Sequence, residues 1–348
     1  MCLRIRRRSR GRVVQSPYVL FVIKRQLAYN GSPVPSKGLF NSAQFMVNAL
    51  RRVDIQARLV EVVDGNDIDR EVTKHGPTHC VLEALWVTPE KLAELQRLHP
   101  SVEFVVRLHS KMPFLATEGI ALQWLREYDA VIATNAESMM SDLHGVLKRL
   151  PVFLPNIYQP ASEPLQKKLD RTGHNVWIGS LGAIRPLKNQ LLQAVAAIQY
   201  AEFTGRNCHF HINDRVEQGG EPVLKNIRAL FANNGEHRLI EHAWRQNHED
   251  VLHIVKSLDL SMQVSFSETF NIASADAVWQ GVPIVVSDKV YWAPTQTRAD
   301  PNSLQTMLRG MALAEKEGKR GTARNLQHLK RANAQGFLAW QFFLKGSR

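Results

Sequence analysis

The chain has 348 residues, 44% hydrophobic and 22% charged, and Lys plus Arg outnumber Asp plus Glu by 44 to 32 for a net charge of +12. This is ordinary globular composition, which excludes wholesale disorder and collagen-like repeats, and the length suits roughly two domains at about 150 residues each. No apolar run approaches the ~18 residues that span a bilayer, and Cys2, Cys80 and Cys208 form no close pair, so a disulfide framework or cysteine zinc site is not indicated and a soluble cytoplasmic protein is expected.

Residues 1–16 read as a basic arm without regular structure. Arg4, Arg6, Arg7, Arg8, Arg10 and Arg12 supply half of the positive excess, with no acid among them. Such a run suits a polyanion or an anionic membrane surface. Tyr18–Ile23 then reads as a buried strand, and the loop after it, Tyr29–Gly38, offers Gly31 and Gly38 for close backbone approach to a ligand. Leu39, Ala43, Met46, Val47 and Leu50 recur at helical spacing, and β-rich runs at Ala57–Val63, Cys80–Leu85, Val102–Leu108 and Ala130–Thr134 alternate with helical stretches. Alternation of this kind predicts βα units and a mostly parallel sheet buried on both faces. Three prolines in 151–160 (PVFLPNIYQP) mark a last strand running into a linker. A second series follows at Val176–Leu181, Cys208–Ile212, Leu239–His242, Leu260–Phe266 and Val282–Ser287. The expected fold class is α/β, with two Rossmann-like domains at 17–157 and 158–321 facing a cleft. A helical segment at 322–348 ends in an apolar cluster of Phe337, Leu338, Trp340, Phe342 and Phe343.

In open parallel sheets ligands bind beyond the carboxyl ends of the strands, so the loops there carry the search. The chain lacks G-x-G-x-x-G after its first strand, G-x-x-x-x-G-K-[ST] and G-x-S-x-G, which weakens dinucleotide oxidoreductase, P-loop and hydrolase readings. Residues 265–288 (SFSETFNIASADAVWQGVPIVVSD) read as strand, turn, helix, glycine turn and strand. Ser267 is the expected helix cap, leaving N–H groups near Thr269 and Phe270 to face a phosphate. Glu268 and Asp276, eight residues apart, would fall within roughly 80° around a helix axis and reach one elongated ligand. Residues 177–189 (WIGSLGAIRPLKN) place Gly182, Arg185 and Lys188 in a loop opening a helix, a suitable pyrophosphate cradle. In the first half, His109 directly follows a buried strand, with Lys111 and Glu118 nearby. His209 and His211 share a strand face, but no carboxylate or cysteine completes a metal spacing.

The 265–288 segment resembles the E-x7-E region of retaining GT-B glycosyltransferases of family 4, usually S-x-x-E-G-F-G…E-A…G-x-P-V-V. Glu268, Phe270, Ala277, Gly281, Pro283 and Val285 fall where that family has them, while Asp276 stands where Glu is usual and Thr269 and Asn271 where glycines are common. The 177–189 segment is similar to the family's G-R-L-x-x-x-K-G, with Lys188 at the lysine, Ser180 at the usual arginine, and Arg185 a substitute from a longer loop. The resemblance implies that Glu268 contacts the donor sugar, Asp276 the ribose, Arg185 and Lys188 the diphosphate, and His109 the reacting sugar. It makes His109 and Glu268 the catalytic pair and implies a GT-B fold whose last helix crosses back onto the first domain. The implied co-substrate is a nucleotide-diphosphate sugar of UDP or GDP type, with no metal or other cofactor.

Stretches of the first half (SKGLFNSAQF, NDIDREV, EALWV, RLHSKMPFLATEGIA) are also similar to glycosyltransferases of tailed bacteriophages. That likeness implies a hydroxymethylated base in phage DNA as acceptor, in the host cytoplasm, gripped by the arm and by Lys316, Lys319, Arg320, Arg324, Lys330 and Arg331. An envelope or lipid-linked glycan reached from an anionic membrane is the competing acceptor. A non-catalytic nucleic-acid-binding scaffold of the same fold is the competing function.

Overall fold

The computed structural model describes residues 16–27, 33–34, 37–115, 120–165, 174–244 and 247–346. The arm through residue 15, Gly31 and Glu118 lie outside them. Apolar runs form strands β1 (Tyr18–Lys24), β4 (Gln56–Val62), β5 (His79–Glu83), β6 (Glu103–Leu108), β7 (Val131–Thr134) and β8 (Val152–Phe153), after a two-residue ribbon of β2 (Gln26–Leu27) and β3 (Pro33–Val34). The first sheet is parallel throughout, in the order β4-β1-β5-β6-β7-β8. Strands β9 (Asn175–Gly179), β10 (Asn207–Asn213), β11 (Arg238–His242), β12 (Leu260–Gln263), β13 (Ile284–Ser287) and β14 (Arg298–Ala299) form a second parallel sheet. Its order is β11-β10-β9-β12-β13-β14. Both faces of each sheet are apolar because helices cover both, as βα connections require. Free Cys80 and Cys208 are buried in these cores.

The last helix, Leu304–Gly346, starts well before the expected Thr322 and is broken at Gly318, whose φ of 48° and ψ of −125° suit only glycine. Before the break, Met307 and Met311 complete the core of the second domain. Beyond it the helix crosses to the first domain, where Trp340, Phe343 and Leu344 pack with Val19, Phe21, Leu154 and Ile157. Trp340 Nε1 donates to Pro155 O at 3.0 Å, and Asn333 exchanges two 2.9 Å hydrogen bonds with the Tyr158 backbone. The crossing expected from the sequence is therefore present.

Three local readings are corrected. Strand β12 stops at Gln263 rather than Phe266, because Val264 N donates to Gln193 Oε1 (3.1 Å) and Phe266 N to Leu187 O (3.0 Å), outside the sheet. Strand β5 stops at Glu83, since Ala84 turns to a φ of 71°. Gly38 belongs to the helix Lys37–Arg51 and not to the loop before it. Among the described residues no helix is long and apolar enough to cross a membrane.

Candidate functional site

One pocket lies between the two domains at the carboxyl ends of the strands. It is lined by His109, Ser110 and Lys111 from the first domain and by Arg185, Leu187, Lys188, Ser267, Glu268 and Thr269 from the second. The two domains touch here: Thr269 Oγ1 donates to His109 O at 3.1 Å.

In the second domain the loops after β9 and β12 are fastened to each other. Asn189 adopts a φ of 58°, a conformation asparagine tolerates, and its side-chain amide donates to Val264 O (3.1 Å) and Pro301 O (2.9 Å). Gln193 Nε2 donates to Lys188 O at 2.7 Å, fixing the backbone of the lysine. The loop after β10 closes in as well: Ile184 N donates to Arg215 O (2.8 Å), and Gly220 packs where a Cβ would sit 2.0 Å from Ile184 O. On this frame Lys188 Nζ pairs with Glu268 Oε1, the only acid among the pocket's lining residues. Arg185 Nη1 donates to Gln218 Oε1 at 3.1 Å. Lys111 reaches the same pocket from the first domain; burial and the neighbouring Lys289 hold its ammonium below the ordinary value, against Glu268 and Asp288. Three cations thus face one carboxylate, a field suited to an anionic ligand.

His109 is held from beneath. Its Nε2 donates to Glu83 Oε2, and its Nδ1 accepts from Asn135 Nδ2 at 3.3 Å. Glu83 and Arg107, register partners on β5 and β6, are fully buried. Arg107 Nη1 donates to both Glu83 oxygens at 3.0 and 3.1 Å. Burial pushes the Glu83 carboxyl up, but the charge of Arg107 and the hydrogen bonds from Arg107 and His109 outweigh it and hold it below the ordinary carboxylate value. Burial lowers the His109 pKa, with Glu83 opposing and Arg107 assisting, which favours the neutral imidazole. Both ring nitrogens already have protein partners, which makes His109 a fixed group rather than a proton shuttle.

Several expected site residues stand elsewhere. Ser267 lines the pocket but does not cap the helix. The helix Ile272–Trp279 is capped by Asn271, whose side chain accepts from Ser274 N at 2.7 Å, so Thr269 and Phe270 precede the helix and supply no N-terminal amides. The helical-wheel argument for Glu268 therefore fails, since Glu268 sits in the turn. Phe270 is a core residue, 1% exposed, packed on Trp292 and Tyr291. Asp276 is buried away from the lining residues, where its Oδ1 accepts from Tyr158 OH (2.7 Å) and His248 Nε2 (2.8 Å). The Gly182 N–H is taken by Asn213 Oδ1 at 2.8 Å, and neither Gly182 nor Gly38 lines the pocket. His211 Nδ1 and His242 Nε2 lie 2.8 Å apart, and among the described residues no group of three or more His, Cys, Asp or Glu could hold a metal ion.

Sequence reasoning passed over Glu83 and Arg107. Their signal was a charge set inside each of two apolar strand runs, CVLEA and FVVRLH. Buried charges require partners, so two such interruptions in neighbouring strands point to each other.

No family model matches the chain, and no curated protein matches it. Solved structures do. A UDP-forming α,α-trehalose-phosphate synthase from Burkholderia xenovorans is similar with a TM-score of 0.62 at 10% identity, covering 94% of this chain and 98% of that one. An E. coli structure described as trehalose-6-phosphate bound with UDP-2-fluoro glucose gives 0.66 at 12% identity, covering 94% and 99%. A mutant of S. aureus TarM in complex with Fondaparinux, alpha-GlcNAc-glycerol and UDP gives 0.58 at 11% identity, over 76% of this chain and 55% of that one. At these identities the likeness is one of fold, and the fold is GT-B.

Proposed function

We propose that the chain is a glycosyltransferase that moves a sugar from a nucleotide-diphosphate donor to an acceptor, with retention at the anomeric carbon. The observation that carries this reading is the convergence of Lys111, Arg185 and Lys188 with Glu268 and His109 on one interdomain pocket. A departing nucleoside diphosphate gains negative charge as the glycosidic bond breaks, and preorganised cations lower that barrier without metal help. Arg185 and Lys188 grip the diphosphate, Lys111 adds charge from the opposite domain, and Glu268 accepts from sugar hydroxyls. His109, neutral and fixed, lines the reacting centre. The structures described above name UDP or UDP-sugars, which favours UDP over GDP. Retention rests on the family 4 resemblance of residues 265–288.

A mass-spectrometric screen for donor hydrolysis across UDP- and GDP-sugars tests the proposal, with thermal shift on the same panel. Turnover of one donor, surviving EDTA, supports it. A chain that ignores every donor while binding nucleic acid is a non-catalytic scaffold. Two acceptors fit the charge. The arm and the basic stretch at 316–331 suit phage DNA bearing a hydroxymethylated base. Leu338 and Phe342, 66% and 82% exposed on the crossing helix near Arg331 and Lys345, favour a lipid-linked glycan at an anionic membrane as the second reading. Binding titrations against duplex DNA and anionic vesicles over a salt series, with and without residues 1–16, separate them. Salt-steep DNA binding that flattens without the arm supports DNA, and tight vesicle binding with negligible DNA affinity supports the glycan.

A further inference from the structure

We propose that Glu83, which never reaches the pocket, is a positioning residue that fixes the hydrogen-bonding state of His109, and that Arg107 and Trp340 hold Glu83 to that task. The inference rests on the glycosyltransferase reading only for its kinetic consequence; the geometry is independent of it.

An ionised carboxylate can only accept, so the proton of the neutral imidazole sits on Nε2, facing Glu83 Oε2. Nδ1 is then left with a lone pair, which accepts from Asn135 Nδ2 at 3.3 Å. Two partners on opposite sides of the ring fix its tautomer and its plane. The carbonyl of His109 is held by Thr269 of the facing domain. The charged groups around the ring are Glu83 and Arg107 beneath it and Lys111, Arg185, Lys188 and Glu268 along the pocket.

Glu83 needs its own restraint, because a carboxylate in an apolar sheet would otherwise take up a proton. Arg107 provides it with a two-pronged contact, brings the same Nη1 to 3.4 Å from His109 Nε2, and donates further to Leu154 O (2.9 Å) and Asn156 Oδ1. The guanidinium lies 5.5 Å from the Trp340 ring centroid, and Trp340 is anchored on Pro155 O. A chain of contacts thus runs from the crossing helix through Trp340, Arg107 and Glu83 to His109. A buried ion pair is a poor source of net stability against a well-packed apolar pair. Its use here is to present one charged oxygen to one imidazole nitrogen.

The test is nitrogen-15 NMR of histidine-labelled full-length protein, with the His109 resonances assigned by their loss in His109→Asn. The wild type is expected to show a neutral ring with hydrogen on Nε2 at pH 7 to 8. An Nδ1-protonated or doubly protonated His109 at pH 7 overturns the proposal without any further variant. In Glu83→Gln the amide can donate as well as accept, and the tautomers should redistribute; an unchanged spectrum also overturns it. In a donor assay Glu83→Gln should lower kcat at least tenfold while the donor KM stays within twofold, since the phosphate grip is untouched. A rise in KM with unchanged kcat would assign Glu83 a different role and overturn the proposal. If the wild type turns over no donor, the donor reading fails while the NMR result still decides the role of Glu83.

Discussion

The two sheets hold six parallel strands each, yet their strand order reverses at different places, and this decides how each domain serves the pocket. In the second sheet the reversal lies between β9 and β12, and the loops after those strands supply Arg185, Lys188, Ser267, Glu268 and Thr269. That is the crevice where doubly wound sheets take their ligands. In the first sheet the reversal lies between β1 and β5, whereas His109, Ser110 and Lys111 follow β6, one strand further along. The second domain places its residues by fastening loop backbones to each other. The first places His109 on a buried ion pair within the sheet. One half of the site therefore depends on loop hydrogen bonds, the other on core electrostatics, and the halves should fail differently.

The largest expected effect breaks the first-domain side. Arg107→Leu leaves Glu83 as a buried carboxylate with the His109 hydrogen bond but no compensating cation, and removing one partner of such an ion pair costs about 3–5 kcal/mol. Urea unfolding should show that loss. A change within ~0.5 kcal/mol would mean that the carboxylate finds another partner, and the contrast between the domains would collapse.

The second-domain counterpart should cost ligand affinity instead. Lys188→Ala removes a charge-assisted contact worth about 1.5–3 kcal/mol, so UDP affinity by calorimetry should fall roughly ten- to a hundred-fold. Unchanged affinity would take Lys188 off the diphosphate. Arg185→Ala should act in the same direction, from its place on the loop between β9 and the following helix.

The alternation of strands and helices was legible because parallel strands covered on both faces are near-continuous apolar runs. Lys188 and Glu268 were legible because both lie on loops at strand ends, where a charged residue has no packing duty. The helix cap was not, since Ser267 and Asn271 are both residue types that cap helices and only the end of β12 decides between them. The surroundings of Asp276 were not legible for a different reason. Its partners, Tyr158 and His248, are 118 and 28 residues away, and no local pattern announces them. Spacing shows which residues can share a helix face, not which neighbours will cover that face.

A finer comparison sets the two acids of the 265–288 segment against each other. Glu268→Gln should cut turnover and leave UDP affinity and unfolding free energy nearly unchanged. Asp276→Asn should instead lose about 1–2 kcal/mol of stability as its contacts to Tyr158 and His248 weaken. A tenfold loss of UDP affinity in Asp276→Asn, without a stability change, would return this acid to the ribose.

The smallest effect comes from pH at the same junction. His248 packs edge-on against Phe45 of the first domain at 5.2 Å and donates to Asp276. Burial pushes the His248 pKa down, but the charge and hydrogen bond of Asp276 outweigh it and lift the pKa above the ordinary histidine value. A group whose pKa is raised by folding contributes stability that is fully present below its unfolded value, about 6.5, and is lost as pH rises through the folded value. The wild type should therefore lose stability between pH 6 and 8 relative to His248→Gln, which cannot titrate. The sign is the informative part, because an imidazole governed by burial alone would be depressed and would gain stability over the same interval. A wild type that gains stability relative to His248→Gln over this interval would assign the junction to burial and remove Asp276 as its electrostatic anchor. A difference that shrinks as pH rises would keep Asp276 as a tie at the domain junction, apart from the cations that line the pocket.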